Sequence, residues 1–372
     1  MYSSLSSNHR LSMDNPDSLT LESALEMLEW GSFEEQWTIA KVLVKYGDVV
    51  IPPLKSVILD ENKDNEHRWY ALKVLSQLQN PEIILIISDL LATTTDDDLI
   101  SLATQTLASQ GKKAITALRP LLSIPQYRLS VTKALAQIPH RDVVESLLSV
   151  VNDDNVDVRV SAIASLHNFD TPAVINTLTK ALQDYHSIVR KEAVIGLSLK
   201  TKSAPAQQLA SLIIPLLQDI DLNVCQQAAI SLSRFPIAPA TEALYTTLVN
   251  QNTPIPLQKT IIKTLAWQET SLSIEYLAKA LYLMPESIII EIIALLGRST
   301  NKKNYPQIIQ LTLQYYDRNS FSKQSLKIIQ NLCYTWQKLN AKEAIKILEE
   351  MANQGDNIIK FHSQSALNKL RK

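Results

Sequence analysis

The fold of this chain is indicated by two stretches that share one pattern, DDNVDVRVSAIASL at residues 153–166 and DYHSIVRKEAVIGL at residues 184–197. In both copies an alanine follows an arginine by three positions, and a leucine follows the alanine by four. Residues four apart lie one turn from each other on the same face of an α-helix, and the small alanine lets a neighbouring helix approach closely. The pattern therefore predicts a helix that packs against other helices.

The same spacing recurs along the chain. A third good copy is HRWYALKVL at residues 67–75, and the leucine that ends each full or partial copy falls at positions 43, 75, 107, 135, 166, 197, 232, 265, 296 and 332. A break and a second amphipathic segment follow each of these phase leucines. One pair of helices buries both apolar faces only by stacking on the next pair. The sequence therefore predicts an all-α solenoid of about ten antiparallel helix pairs, more degenerate from about residue 270.

The break between paired helices is clearest after the phase leucine at position 166. Asn168 suits the left-handed backbone conformation that ends many helices, and Pro172 suits the first position of the following helix. We therefore expect Asn168 to end one helix and Pro172 to begin the next.

Acidic residues precede the arginine by six positions, at the turn between repeats. Asp153 precedes Arg159, Asp184 precedes Arg190, and Asp219 has the same register. An aspartate there can cap the next helix, and an arginine from a neighbouring repeat can pair with it. The sequence therefore predicts a structural ladder made of Arg68, Arg128, Arg159, Arg190, Asp153, Asp184 and Asp219.

The pattern D-x-x-x-x-V-R-x-x-A-x-x-x-L resembles HEAT repeats, and the short unit of about 31 residues resembles the phycobilisome-lyase HEAT-like subtype. The resemblance is sharpest over residues 150–235 and is recognisable from 34 to 270. It implies a solenoid whose concave groove, lined by the second helix of each pair, holds a partner. Members of the subtype include cyanobacterial bilin lyases of the E and F type, phycobilisome-degradation factors and proteins that associate with an iron–sulfur carrier.

Composition argues against several other classes of protein. With only 6 glycines in 372 residues, the chain has few of the tight turns that α/β nucleotide-binding folds need. Its two cysteines, Cys225 and Cys333, form no disulfide framework, which predicts a reducing compartment, the cytoplasm. The polar residues 1–17 lack the apolar core of a secretory signal and are predicted to be a disordered tail ahead of a single solenoid over 18–372. No apolar run is long enough to predict membrane insertion.

Charge is distributed unevenly along the sequence. From residue 301 onward there are 12 Lys or Arg and 5 Asp or Glu, whereas the whole chain has a net charge of −1. One interpretation is a set of solvated helix faces that happen to differ. The other is a basic end that meets an acidic partner.

Few side chains suggest catalysis. The six histidines (His9, His67, His140, His167, His186 and His362) form no H-E-x-x-H or similar metal motif, so no metal or cofactor is predicted. HEAT-type deoxyhypusine hydroxylases carry His-Glu dipeptides, and this sequence has none. Cys225 occupies the arginine position near a helix start, where the helix dipole could lower its pKa. The alternative is a small, partly buried substitute for arginine, and Cys333 is expected in the core.

Aromatic residues suggest a binding surface. Seven of the 12 tyrosines lie after residue 240. Several fall on second helices, and tyrosine has the apolar body and polar tip favoured at interfaces. The predicted partner-binding residues are Tyr245, Tyr276, Tyr282, Tyr315 and Tyr316, and the alternative is that they fill gaps between repeats. Near the other end, Trp30, Trp37 and Trp69 are predicted to close the core.

The function predicted from these features is a non-enzymatic scaffold, adaptor or chaperone that holds a protein, a phycobiliprotein or another, in the solenoid groove, with a link to phycobilisomes. The enzyme alternative is a bilin (phycocyanobilin) lyase or lyase subunit of the E/F type. Further alternatives are a partner of an iron–sulfur carrier and a weak nucleic-acid binder. The sequence pI of about 6.6 argues against nucleic acid, because neutralising phosphates requires a strongly basic surface.

Overall fold

The computed structural model describes residues 19–318, 325–354 and 356–371, so the predicted tail of residues 1–17 lies outside the described residues. In these ranges the regular elements are α-helices and short 3₁₀ segments, without a strand. The all-α prediction is confirmed. None of the helices in these ranges has the length and apolar character needed to cross a membrane.

The helices follow one another with short connections. In chain order they are α1 (Leu21–Trp30), α2 (Phe33–Leu43), α3 (Ile51–Leu59), α4 (Asn65–Leu75), α5 (Pro81–Thr93), α6 (Asp97–Ser109), α7 (Ile115–Leu121), α8 (Pro125–Ala136), α9 (Val143–Leu148), α10 (Val156–Ser165), α11 (Pro172–Ala181), α12 (Ser187–Ser198), α13 (Ala206–Ile213), α14 (Leu222–Leu232), α15 (Ala238–Val249), α16 (Ile255–Gln268), α17 (Ser271–Ala280), α18 (Glu286–Leu296), α19 (Tyr305–Arg318), α20 (Leu326–Lys338), α21 (Ile345–Gln354) and α22 (Asn357–Leu370). The 3₁₀ segments are Val44–Val50, Gly111–Ala114, Leu166–Asn168, Ile214–Gln218, Lys302–Asn304 and Lys342–Ala344.

The even-numbered helices α2 to α20 are the first helices of the repeats. Each carries the phase leucine or, in the case of α10, ends directly before it. The chain forms two compact units, Met1–Phe169 and Asp170–Lys372. In the first unit α2, α4, α6, α8 and α10 pack in succession, and in the second α12, α14, α16, α18, α20 and α22 do so. Second helices pack on one another as well, for example α15 on α17 and α17 on α19.

Stacked helix pairs in two layers are the architecture of an α-solenoid, as predicted. The boundary between the two units falls between α10 and α11. The expectation of one solenoid over 18–372 therefore stays a prediction.

The repeat pattern marks the apolar core. All ten phase leucines are at most 2% exposed, and the alanines of the best copies, Ala71, Ala162 and Ala193, are 0% exposed. Pro172 begins α11 as predicted, with Thr171 as its cap. The prediction for Asn168 is wrong, because Asn168 ends a 3₁₀ segment without a positive φ. The hydrogen bond from the N–H of Phe169 to Leu166 closes this end instead.

The prediction that tryptophans close the N-terminal end of the core is also wrong. Trp30 and Trp37 are 75% and 41% exposed, and Trp69 is half-buried. Helix α1 covers that end instead, and it buries Ala24, Met27 and Leu28. These three apolar residues lie at positions i, i+3 and i+4 of α1, so they form one helical face that packs against α2 and α4.

Helices α18 and α20 approach each other closely at a glycine. A Cβ atom on Gly297 would lie 2.6 Å from the Thr335 hydroxyl oxygen and 3.1 Å from the Thr335 Cα. We therefore expect Gly297→Ala to lower the free energy of unfolding by about 1–3 kcal/mol, because overpacking forces the two helices apart. Urea unfolding followed by circular dichroism measures the effect. Thr335→Ala in the same chain should restore part of the loss, and a Gly297→Ala protein as stable as the wild type would contradict the close approach.

Candidate partner-binding surfaces

A buried ion pair joins two successive turns of the second unit. Arg190 donates from Nε to Asp219 Oδ2 at 2.8 Å and from Nη2 to Asp219 Oδ1 at 2.6 Å. Both side chains are less than a tenth exposed. Nη1 of Arg190 also donates to the carbonyl oxygens of Asp184 and Tyr185, at 2.9 and 3.3 Å. The guanidinium therefore holds its own turn and the next one together.

The aspartates of the predicted ladder shape the turns but do not cap the helices. Asp153 and Asp219 each accept a hydrogen bond at 2.8 Å from the N–H two residues later. The helix caps are those later residues, Asn155 and Asp221. Asp184 likewise accepts at 2.8 Å from an N–H two residues later. The prediction that these aspartates cap the next helix is therefore wrong. The side chain of each aspartate forms a turn, and the N-cap is the residue two positions later.

The other arginines of the predicted ladder have different partners. Arg128 Nη1 lies 2.6 Å from Asp153 Oδ2. Arg159 Nη1 donates to the Asp153 carbonyl at 2.8 Å, within its own turn.

Arg68 departs from the ladder, since among the described residues it has no carboxylate partner. Its Nη1 donates to Asn65 Oδ1 at 3.2 Å, and Asn65 donates to Asp96 Oδ2 at 3.0 Å. An asparagine thus relays the contact in the first unit, because it stands between the arginine and the next aspartate.

The two cysteines lie in the core. The Cys225 thiol donates to the Asp219 carbonyl, six residues earlier, at 3.1 Å, as Arg190 donates to Asp184. Burial raises the pKa of the Cys225 thiol, so the alternative of a dipole-lowered pKa is wrong. Cys333 is 1% exposed as predicted, and burial raises its pKa to about 12. Within the described residues, no group of three or more His, Cys, Asp or Glu is arranged to hold a metal ion.

Two of the predicted binding tyrosines form a stacked pair. The rings of Tyr245 on α15 and Tyr276 on α17 have centroids 4.4 Å apart and planes within 7° of parallel. Both residues are half-buried. Among the described residues neither hydroxyl has a hydrogen-bond partner. Lys279 lies 5.3 Å from the Tyr276 ring centroid and pairs with Glu275 at 2.8 Å. The pair offers partly exposed aromatic surface and two polar tips on the second-helix layer.

The other three predicted tyrosines pack elsewhere. Tyr315 is 4% exposed, so its assignment to a binding surface is wrong, and burial raises its pKa. Tyr282 is 43% exposed and packs edge-on against Tyr315 with ring centroids 5.4 Å apart. Tyr316 packs edge-on against the buried Trp336, and burial raises the pKa of Tyr316 to about 12. Tyr315 therefore fills a gap between helices, which was the alternative interpretation, whereas Tyr316 is half-buried and its assignment stays a prediction.

Sequence reasoning missed a basic cavity on the first-helix side of the second unit. Residues of α18, α20 and α22, together with Arg298 just after α18, line a cavity of about 510 Å³. Its charged lining residues include Arg298, Lys327 and Lys369. The excess of Lys and Arg after residue 300 was the available signal. That excess does not reveal which basic side chains share a face.

The comparisons with known proteins agree with this geometry. Residues 115–198 match a family model described as HEAT repeats. The HEAT prediction is confirmed for that region, whereas the phycobilisome-lyase subtype stays a prediction. No curated protein matches the chain.

Several solved structures are similar to the chain. Kap121p is 13% identical with a TM-score of 0.54, and the alignment covers 94% of this chain and 45% of Kap121p. Kap95p, in a structure that describes its binding to RanGDP, is 11% identical with a TM-score of 0.47, covering 94% and 62%. Human deoxyhypusine hydroxylase is 18% identical with a TM-score of 0.31, covering 65% and 92%. The chain thus spans less than half of Kap121p, and the likeness to Kap121p shows the solenoid fold alone.

Proposed function

We propose that this protein is a protein-binding scaffold whose second-helix layer, in the second unit, contacts a partner through Tyr245 and Tyr276. The stacked pair carries the proposal. Its rings are half-exposed and its hydroxyls have no partner among the described residues, so it has apolar area and hydrogen-bonding capacity to offer. Tyrosines of this kind dominate the energetics of many protein interfaces.

The fold supports the same proposal. Stacked helix pairs present long continuous surfaces, and binding in solenoids depends on the residues displayed there. In this chain Arg128 and Arg190 are used in turn-to-turn contacts with Asp153 and Asp219. The half-buried tyrosine pair lies outside these contacts.

We expect Tyr245→Ala/Tyr276→Ala to weaken binding of the native partner by about 100-fold or more, because a central interface tyrosine contributes on the order of 2 kcal/mol. The partner is first identified by affinity purification of the wild-type chain from its host with mass spectrometry. Binding of the purified partner is then measured by titration calorimetry. Tyr315 is left unchanged because it is buried.

The matched control is Tyr185→Ala/Trp267→Ala, which removes two aromatic side chains that are 76% and 61% exposed elsewhere in the second unit. We expect this control to bind as the wild type does. Both double variants should retain wild-type helicity. Equal affinity of the Tyr245→Ala/Tyr276→Ala protein and the wild type would place the interface elsewhere.

The identity of the partner stays a prediction from the resemblance to phycobilisome-lyase repeats. A phycobiliprotein, an iron–sulfur carrier and the lyase activity on phycocyanobilin are the candidates it implies. Mixing the purified protein with phycocyanobilin tests the last of these. A red-shifted absorption band would favour the lyase alternative, and an unchanged spectrum would remove it.

A further inference from the structure

The lining of the basic cavity carries positive charges only. Two of the helices that line it, α20 and α22, contain no aspartate or glutamate. Arg298, Lys327 and Lys369 supply three positive charges to its lining, and no lining residue is acidic. Glu291 on α18 follows the lining residue Ile290 in sequence. Two lysines outside the cavity lining neutralise this carboxylate, at 3.7 and 3.6 Å.

The three cations of the cavity lack partners in the part of the chain that the structure describes. Arg298, Lys327 and Lys369 make no ion pair or side-chain hydrogen bond there, and all three are exposed. Basic residues elsewhere do pair with carboxylates, as Lys55 does with Glu82 at 3.7 Å and Lys112 with Asp142 at 3.4 Å. Cations gathered without counter-charges create a positive potential that attracts an anionic group.

Amide side chains between the cations favour a peptide as the anionic ligand. Gln330 and Gln337 line the cavity, and neither side chain has a hydrogen bond among the described residues. Asn331 donates to the Lys327 carbonyl at 2.8 Å, which leaves its Oδ1 to accept. An amide can both donate and accept, so it matches the alternating N–H and C=O groups of a peptide backbone. A phosphodiester backbone offers acceptors only.

The length of the cavity also suits a short segment. Neighbouring packed helices lie about 10 Å apart, so α18, α20 and α22 together span about 20 Å, the length of about six extended residues. A long polyanion would extend onto the remainder of a chain whose net charge is −1. A short acidic segment would not.

We propose that the basic cavity is a groove that binds an extended Asp- or Glu-rich segment of the protein partner. Arg298, Lys327, Lys369 and the intervening amides would contact that segment. This inference rests on the proposed protein-binding function but uses different residues. The groove is lined by α18, α20 and α22, whereas the tyrosine pair lies on the second helices α15 and α17. A partner with a folded part and an acidic segment can therefore engage the two surfaces separately.

The test measures the fluorescence anisotropy of a fluorescein-labelled hexaglutamate peptide titrated with the full chain. We expect Arg298→Gln/Lys327→Gln/Lys369→Gln to bind at least about tenfold more weakly than the wild type, because each lost charge pair contributes a fraction of a kcal/mol. Raising salt from about 50 to about 300 mM should weaken wild-type binding, since the paired charges are exposed.

The control variant Lys55→Gln/Lys112→Gln/Lys133→Gln removes the same net charge from the first unit. It should bind within about twofold of the wild type, because its charges lie outside the groove. Equal losses in the two triple variants would overturn the proposal, as would oligouridylate binding as tightly as hexaglutamate. Sedimentation that shows self-association in the wild type but not in the groove variant would also overturn it, since the occupant would be a second copy.

The peptide assay separates this inference from the proposed function. The Tyr245→Ala/Tyr276→Ala protein should bind hexaglutamate as the wild type does. If that protein keeps the native partner while the groove variant alone loses hexaglutamate, the tyrosine surface is wrong and the groove stands. If the Tyr245→Ala/Tyr276→Ala protein loses the native partner and the groove variant binds hexaglutamate as the wild type does, the groove is wrong and the tyrosine surface stands.

Discussion

Asp219→Ala is expected to lower the free energy of unfolding by about 3–5 kcal/mol, because it leaves a buried guanidinium without its carboxylate. Arg190 and Asp219 are joined by two hydrogen bonds of 2.8 and 2.6 Å, and their side chains are 9% and 6% exposed. The variant also loses the acceptor that holds the N–H of Asp221 in the turn. Urea unfolding at neutral pH measures the loss.

Two control variants separate the charge from the turn. Asp219→Asn keeps an acceptor for the turn but removes the negative charge, so it should cost less than alanine. Asp221→Ala removes an ordinary helix cap in the same turn and should cost about 1 kcal/mol. An Asp219→Ala protein that loses no more stability than Asp221→Ala would show that the buried pair contributes little.

The contribution of Asp219 to the free energy of unfolding decreases at low pH. Burial alone would raise the pKa of Asp219, but hydrogen bonds from Arg190 and from the N–H of Asp221 outweigh burial and lower it below the ordinary value of 3.8. A carboxyl group whose pKa is depressed by folding stabilises the fold fully above its unfolded pKa, and the stabilisation is lost as the pH falls through the folded pKa. The stability difference between the wild type and Asp219→Ala should therefore be constant above about pH 5 and shrink below about pH 4.

Leu166→Ala is expected to cost about 2–5 kcal/mol, because it removes methyl and methylene groups from a packed seam that collapses only in part. Leu166 is 0% exposed and is one of the ten phase leucines of the repeat. Urea unfolding followed by far-ultraviolet circular dichroism gives the loss.

The matched control for Leu166 is Leu85→Ala on α5, where the leucine is 65% exposed. Its substitution should change stability by no more than about 0.5 kcal/mol, as expected for a surface position. A cost for Leu166→Ala below about half a kcal/mol would show that this leucine is not a core residue.

The errors made from sequence share a physical origin. Trp30 is predicted to close the core, yet the face of α1 that packs at that end carries Ala24, Met27 and Leu28, and Trp30 is 75% exposed. Tyr315 and Tyr282 are equally plausible surface residues by type, yet one is 4% and the other 43% exposed. Arg68 carries the repeat pattern but meets Asn65 instead of a carboxylate. Residue type and spacing do not specify which groups a neighbouring helix brings within reach.

The repeat by itself predicted the helices, their pairing and the burial of the phase leucines, because helical periodicity is a local property that a single segment displays. The stacking of helices alone decided which distant side chains share a surface. Tyr245 stacks on Tyr276, and Lys327 lines the same cavity as Lys369, only because successive helices pack with particular offsets and rotations. Those offsets depend on the summed packing of many side chains, which no short stretch of sequence contains.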